Sequence, residues 1–397
     1  MMDFFMVSTR IGKHGVVEVY PRFIVPTKRK SSDLMIRGGD FYAVWLEDKG
    51  LWSTDEGDAL EAIDHELDSY VEKNKDKFDH VKVLHMWDAQ TGMIDSWHKY
   101  CQKQLRDCYH ALDEKLVFSN MPTKKDDYAS KRLNYPLEEG SYEAYDKLIS
   151  TLYSEEERHK IEWAIGAVVS GDSKEIQKFL VLHGDRGTGK STILKIMEKL
   201  FDGYWTAFDA KSLGSANASF ALEPFRANPL VGIQQDGDLS KIEDNTRLNS
   251  LVSHESMTVN EKYTKAYVNR FNCFLFMGTN KPVKITDAKS GILRRLIDVT
   301  PTGNLIPLKE YRRLKKKVDF ELGAIAKHCM DVYLEDPDRY EDYVPVRMLG
   351  ATNEFYNFIM DSYTALKKED GISLKVAWAK YNKYCEEARV PYPYNRM

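Results

Sequence analysis

The run Gly184-Asp185-Arg186-Gly187-Thr188-Gly189-Lys190-Ser191-Thr192 fits the pattern G-x-x-x-x-G-K-[ST] and is the most chemically specific stretch of the chain. Its residue types suit one task, the holding of phosphate. Glycines permit positive φ, so successive backbone N–H groups can turn inward toward phosphate oxygens. A helix starting near Lys190 adds its positive N-terminal end. Lys190 supplies a point charge for the β- and γ-phosphates, and the Ser191 hydroxyl suits magnesium. The expected ligands are ATP and Mg2+. A glycine-rich turn with a solvated lysine shares the composition, but it needs no strand before it and no helix after it.

Such a loop needs acids at the tip of a neighbouring strand, to hold magnesium and to polarise the attacking water. The apolar run Leu230–Ile233 is followed by Gln234-Gln235-Asp236-Gly237-Asp238, so Asp236 and Asp238 are the candidates. A solvated acidic turn capping a strand is the plainer alternative. Next, Phe274–Met277 leads into Gly278-Thr279-Asn280. Asn280 can sense the γ-phosphate and orient water, or it can simply cap a turn before Pro282. Arg294 and Arg295 then precede a further apolar run. An arginine presented to the nucleotide of a neighbouring subunit stabilises charge developing in the transition state. The alternative is a structural or surface basic pair, and which of the two reaches across stays open at this point.

These residues need rigid elements. Phe179–Leu182 is a short apolar run, followed by the glycine-rich loop and a helical stretch, Ser191–Phe201. Strand, loop and helix in that order open a nucleotide-binding α/β unit. Leu230–Ile233, Phe274–Met277 and Leu296–Val299 have the continuous apolar character of strands covered on both faces. A helical stretch with apolar residues Leu148, Leu152, Ile161, Ile165 and Val168 runs from Tyr142 to about Ser170.

The order of these parts within residues 184–295 resembles that of superfamily 3 helicases. More narrowly, it resembles the helicase portion of phage and plasmid primase-helicases and of the poxvirus-type primase-helicase. Gly278-Thr279-Asn280-Lys281-Pro282 and Leu293-Arg294-Arg295-Leu296 carry the likeness most specifically, within a span of about Tyr142 to Pro301. The resemblance implies a P-loop NTPase core of AAA+-like type that forms a ring, usually hexameric, around one DNA strand. It implies an ATP-dependent DNA helicase of phage-type replication, with Lys190, Asp236, Asp238, Asn280, Arg294 and Arg295 catalytic, and Ser191, Asp236 and Asp238 at the metal. It also implies a hairpin that grips DNA in the channel. Here that stretch is Val259–Tyr267, which makes Lys262, Tyr263 and Lys265 the DNA-binding candidates. Lysines meet phosphates there while tyrosine stacks on bases. The expected partners are single-stranded or forked DNA, further copies of the chain, and a separate primase or polymerase. The acids are Asp-Gly-Asp where that family has two adjacent, and no catalytic carboxylate set or zinc spacing precedes residue 150.

The chain has 397 residues, 43% hydrophobic and 30% charged, which suits a soluble protein with a sizeable core. Its net charge of −4 means that any nucleic-acid surface must be local. The five cysteines lack zinc spacing and read as reduced thiols. No apolar run approaches the roughly 20 residues that span a bilayer, so a cytoplasmic protein without membrane partners is expected. Three regions are expected: a mainly helical accessory domain over 1–135, where the strand-like runs Val16–Tyr20 and Phe41–Leu46 alternate with the helical stretches Ala59–Lys75 and Ser96–Glu114, an ATPase core with its preceding helix over 136–305, and a helical region over 306–397 resembling the start of a winged-helix module. Lys124–Arg132, followed by Pro136 and Gly140, has the look of a linker. The run Lys309–Lys317 holds six cations against one acid and is either a DNA-facing or a solvated surface. Trp45, Trp52, Trp87 and Trp97 suit a core better than a base-stacking platform.

Three rival functions remain at this stage. A P-loop nucleotide kinase would act as a monomer indifferent to DNA. An ATP-switched replication initiator or loader would hardly turn over. A primase-polymerase would use Asp236 and Asp238 as its metal pair.

Overall fold

A computed structural model describes residues 2–24, 32–37, 41–88, 90–104, 110–215, 218, 220–239, 245–260, 267–283, 291–352, 355, 358–359, 362 and 372–387. The chain divides into two units, Met1–Pro136 and Leu137–Met397.

The first unit is richer in strand than its sequence suggests. β1 (Phe5–Ile11) and β2 (Val17–Phe23) form an antiparallel pair, and β6 (Val81–Val83) adds parallel to β2. A second sheet joins β3 (Leu34–Arg37), β4 (Phe41–Leu46) and β5 (Leu51–Ser53). Two helices accompany them, α1 (Glu56–Lys73) and α2 (Met93–Gln104). The expectation of a mainly helical region is therefore corrected. The strand-like runs Val16–Tyr20 and Phe41–Leu46 fall on β2 and β4, whereas β5 and β6, of three residues each, are too short to show a period of two. α1 by contrast announces itself. Asp55 accepts from Gly57 N at 2.8 Å at its start, and Ala59, Leu60, Ile63 and Leu67 bury one face.

The segment read as a linker is also corrected, because it packs on this unit. Trp52 N donates to Ala129 O, Trp52 Nε1 donates to Lys125 O, and the Tyr128 ring stacks on Trp52. Trp45, Trp52 and Trp97 are buried, whereas Trp87 is exposed.

The second unit is a mixed α/β structure around a parallel five-stranded sheet of order β13-β7-β12-β9-β8. Its strands are β7 (Phe179–His183), β8 (Trp205–Ala207), β9 (Val231–Gln234), β12 (Phe274–Thr279) and β13 (Leu296–Val299). Every residue of β12 and β13 is buried, as expected for strands covered on both faces. A separate antiparallel pair, β10 (Ser256–Val259) and β11 (Tyr267–Arg270), lies between β9 and β12 in the chain.

The helices are α3 (Glu143–Leu152), α4 (Glu155–Ser170), α5 (Lys190–Leu200), α6 (Ala210–Leu213), α7 (Thr246–Val252), α8 (Leu308–Val318), α9 (Leu322–Glu335), α10 (Val346–Thr352) and α11 (Leu374–Glu387). α4 starts with three glutamates beside the positive helix end and stops at Gly171, whose φ is 86°. It packs so closely on α9 that a Cβ at Gly166 would lie 2.0 Å from the Cys329 carbonyl oxygen. Cys101, Cys273, Cys329 and Cys385 are buried free thiols, and Cys108 lies outside the described residues. No described helix is long and apolar enough to cross a membrane. Most of the stretch read as a winged-helix start lies outside the described residues. Within it, α11 buries Tyr381 and Cys385 in a cluster with Phe358.

Candidate nucleotide-binding site

The glycine-rich loop joins β7 to α5. Gly187 and Gly189 adopt φ of 80° and 94°, and α5 begins at Lys190. Gly189 is required for space as well as conformation, because a Cβ there would meet Leu152 Cδ1 at 2.7 Å. Thr188 Oγ1 donates to Asp185 O at 2.8 Å and braces the turn.

Lys190 is 7% exposed. Its ammonium donates to Gly184 O at 2.6 Å, Asp185 O at 2.7 Å and Asn280 Oδ1 at 2.8 Å. An ammonium has three donors, so all are engaged. Burial lowers the Lys190 pKa from its ordinary value, and the carboxylates of Asp236 and Asp185 partly offset this.

Asn280 directly follows β12, which pairs with β7 in the register Thr279↔His183. This register sets the amide beside the loop lysine. The other end of the amide, Nδ2, donates to Asp236 Oδ1 at 3.3 Å. Lys190, Asn280 and Asp236 thus form a chain across the carboxyl ends of three adjacent strands, β7, β12 and β9. Ligands of open parallel sheets bind outside such ends. The chain lies in a cleft of about 480 Å³, within the usual size of small-ligand sites. Arg186 to Thr192 form one wall, and Leu152, Leu305, Ile306 and Tyr311 form an apolar one.

Asp238 is directed elsewhere. Lys281 Nζ donates to its Oδ2 at 2.5 Å, and it does not line the cleft. Gly237 N donates to Gly278 O at 2.7 Å, tying the turn between the two acids to β12. The fold therefore separates two acids that spacing alone leaves equivalent.

The arginines lie at the amino end of the sheet, before β13. Phe179 N donates to Arg295 O at 2.8 Å, and Lys178 Nζ donates to Arg294 O at 2.6 Å. β7 separates them from the loop, a rise of about 16 Å. Arg295 is 4% exposed and bonded on every side. It gives Nε and Nη2 to Ser253 Oγ at 2.8 and 2.5 Å, and Nη1 to Gly291 O at 2.8 Å. Burial and the nearby Arg294 lower its pKa, against the pull of Glu255. Arg294 is exposed.

Lys262, Tyr263 and Lys265 lie outside the described residues. The strands that flank them, β10 and β11, pair antiparallel up to Val259↔Tyr267.

Five wall residues were not anticipated as such: Leu152, Gln235, Leu305, Ile306 and Tyr311. Tyr311 OH lies 3.2 Å from Thr192 Oγ1 in the first turn of α5. A signal existed, since Tyr311, Leu314 and Val318 recur at helical spacing inside a run otherwise dominated by cations. Among the described residues, no group of three or more His, Cys, Asp or Glu side chains could hold a metal. The Ser191 hydroxyl and the Asp236 carboxylate, both in the cleft wall, are hard oxygen donors. They fit magnesium, which keeps several waters and takes its remaining ligands from phosphates.

A family of unknown function (DUF5906) matches residues 182–295, a span running from β7 through the arginine pair. Among solved structures, the apo C-terminal region of NrS-1 is similar at 13% identity and a TM-score of 0.41, covering 66% of this chain and 70% of that one. A second form of that region is similar at 14% identity and a TM-score of 0.42, covering 72% of this chain and 76% of that one.

Proposed function

We propose that this chain is a P-loop ATPase of AAA+-like type that assembles as a ring and moves single-stranded DNA with the energy of ATP hydrolysis, as a helicase of phage-type replication does. The observation that carries this reading is a separation. The Lys190–Asn280–Asp236 chain occupies the carboxyl end of the sheet, while the exposed Arg294 stands at its amino end. Arg294 is too far away to serve the cleft of its own subunit, and in this reading it serves that of a neighbour. A monomeric nucleotide kinase leaves this arrangement without a use.

In this reading the loop N–H groups and Lys190 hold the phosphates of ATP. Since all three Lys190 donors are engaged, a phosphate oxygen must replace at least one of its present partners. Exchange of Asn280 is the simplest, because the other two are carbonyls of the loop itself. The released amide oxygen then turns to the attacking water, which Asp236 polarises. Ser191 and Asp236 would hold magnesium, which neutralises charge on the phosphate oxygens when bound. Arg294 of the adjacent subunit stabilises the charge that develops as the phosphoryl group leaves. Asp238 holds Lys281 and with it the turn that carries Asn280.

The test is ATP turnover with and without single-stranded DNA, for wild type, Lys190→Ala, Arg294→Ala and a mixture of the two variants. Stimulation by DNA, with activity partly restored on mixing, supports shared sites. A fully active Arg294→Ala protein that ignores DNA removes the ring and favours the kinase.

A further inference from the structure

We propose that the outer face of α8, together with Phe320 in the turn beyond it, is a second contact for single-stranded nucleic acid, outside the hairpin and mechanically joined to the ATP cleft. This inference rests on the motor reading given above.

α8 is strongly two-faced. Leu314 and Val318 are buried and Tyr311 faces the cleft wall, whereas Lys309, Arg312, Arg313, Lys315, Lys316 and Lys317 are all exposed. None of the six forms an ion pair among the described residues. The acids that could neutralise them are committed to other partners. Glu310 pairs with Lys147 and acts on Arg313 only as a lesser electrostatic influence, and Asp319 pairs with Lys199. Both carboxylate oxygens of Glu321 accept from the start of α3, Ala144 N and Tyr145 N, at 3.0 Å. In a chain of net charge −4, six cations with no ion pair among the described residues, along about 12 Å of helix, concentrate positive potential where the chain as a whole has none.

Charge alone would suit any polyanion. An exposed aromatic side chain in the turn two residues beyond α8 narrows the choice. Phe320 is 91% exposed, and Lys309, Arg313, Lys316 and Phe320 succeed one another at intervals of three or four residues. Cations that follow a backbone, with a ring offered to a base, are the two components of sequence-tolerant single-strand binding. The inward face of the same helix ends at the phosphate loop, through Tyr311 OH and Thr192 Oγ1. A strand lying on α8 thus bears on the helix that forms the wall of the ATP cleft.

The experiment measures fluorescence anisotropy with two labelled probes of equal length, an oligothymidylate and an abasic deoxyribose-phosphate strand, across a salt series. The proteins are wild type, Lys309→Ala/Arg313→Ala/Lys316→Ala, Phe320→Ala and Lys262→Ala/Lys265→Ala, all checked by thermal melting. Each lost phosphate contact on a single strand lowers the slope of log K against log salt by about 0.7, so the triple variant should lose about 2. It should bind both probes more weakly, keep its basal ATP turnover and lose stimulation by DNA. Phe320→Ala should weaken the oligothymidylate roughly tenfold, within the range of one stacked base, and leave the abasic strand unchanged. Unchanged affinity and slope in a folded triple variant, with binding abolished by the Lys262/Lys265 change, overturns the proposal and leaves the motor reading standing. Equal loss on both probes for Phe320→Ala overturns nucleic acid as the occupant in favour of a general polyanion. Wild-type protein that neither binds the strand nor responds to it in turnover overturns both readings.

Discussion

Asn280 Oδ1 accepts a 2.8 Å hydrogen bond from Lys190 Nζ, so the amide that ends one strand holds the ammonium that follows its neighbour. The pair is assembled by the register of β12 on β7, and it joins the glycine-rich loop to Asp236 through the other end of the amide.

Removing that amide should impair turnover more than binding. In Asn280→Ala, kcat should fall by about 100-fold, the usual scale for one preorganised polar group, with ATP affinity within a few-fold of wild type. Steady-state kinetics beside nucleotide titration separates the two quantities. Equal losses in both would mean that Asn280 only maintains the shape of the loop.

The two acids should not behave alike. Asp236→Asn should abolish magnesium-dependent turnover. Asp238→Asn weakens the Lys281 pair, which is largely exposed and worth under about 1 kcal/mol, so its turnover should fall modestly. Titrating magnesium against rate for both variants decides the matter, and a reversed order would exchange the roles proposed for them.

The arginines should divide between assembly chemistry and folding. Arg295→Ala leaves Ser253 and Gly291 without their buried donor and should cost about 2–3 kcal/mol, lowering Tm by several degrees. Arg294→Ala should melt like wild type while losing turnover. Calorimetry on both proteins provides the comparison, and a normal melt for Arg295→Ala would mean that its buried bonds add nothing.

Gly166→Ala should be severe for so small a change. With a Cβ 2.0 Å from the Cys329 carbonyl, α4 and α9 must move apart, a strain of about 1–3 kcal/mol or more. Chemical denaturation should show the loss without any change in the ratio of kcat to KM for the folded protein.

Stability should fall on mild acidification. Burial holds His159 and His183 below the ordinary imidazole value near 6.5. Arg339 adds to this at His159 and Lys190 adds to it at His183, against nearby carboxylates. A depressed histidine means that the unfolded chain takes up protons first. The contribution is therefore complete above about pH 6.5 and is lost as pH falls through that value toward the folded-state pKa. Melting curves from pH 7.5 to 5.5 should show the decline, and His159→Gln/His183→Gln should flatten it. An equal slope in that variant would assign the decline to other groups.

Much of the second unit is legible without coordinates because its signals are local. The apolar runs of β7, β9, β12 and β13 are each several residues long, and the spacing of Gly184, Gly189, Lys190 and Ser191 reports a backbone that only such residues adopt. The first unit is poorly legible for the opposite reason. β3, β5 and β6 become strands through pairing with partners, and three or four residues are too few to display an alternating face.

By itself the sequence determined a strand, a loop and a helix over residues 179–200, and a short set of polar residues at the tips of apolar runs. These depend on φ preferences and on hydrophobic spacing, which act over a few residues. Only the tertiary structure decided which polar groups meet. It turned Asp236 toward Asn280 and Asp238 toward Lys281, buried Arg295 against Ser253 while leaving Arg294 in solvent, and carried Tyr311 onto Thr192. Adjacent residues of one type are interchangeable in a sequence. They become distinct when the direction of each side chain is set by strand pairing and by partners far away in the chain.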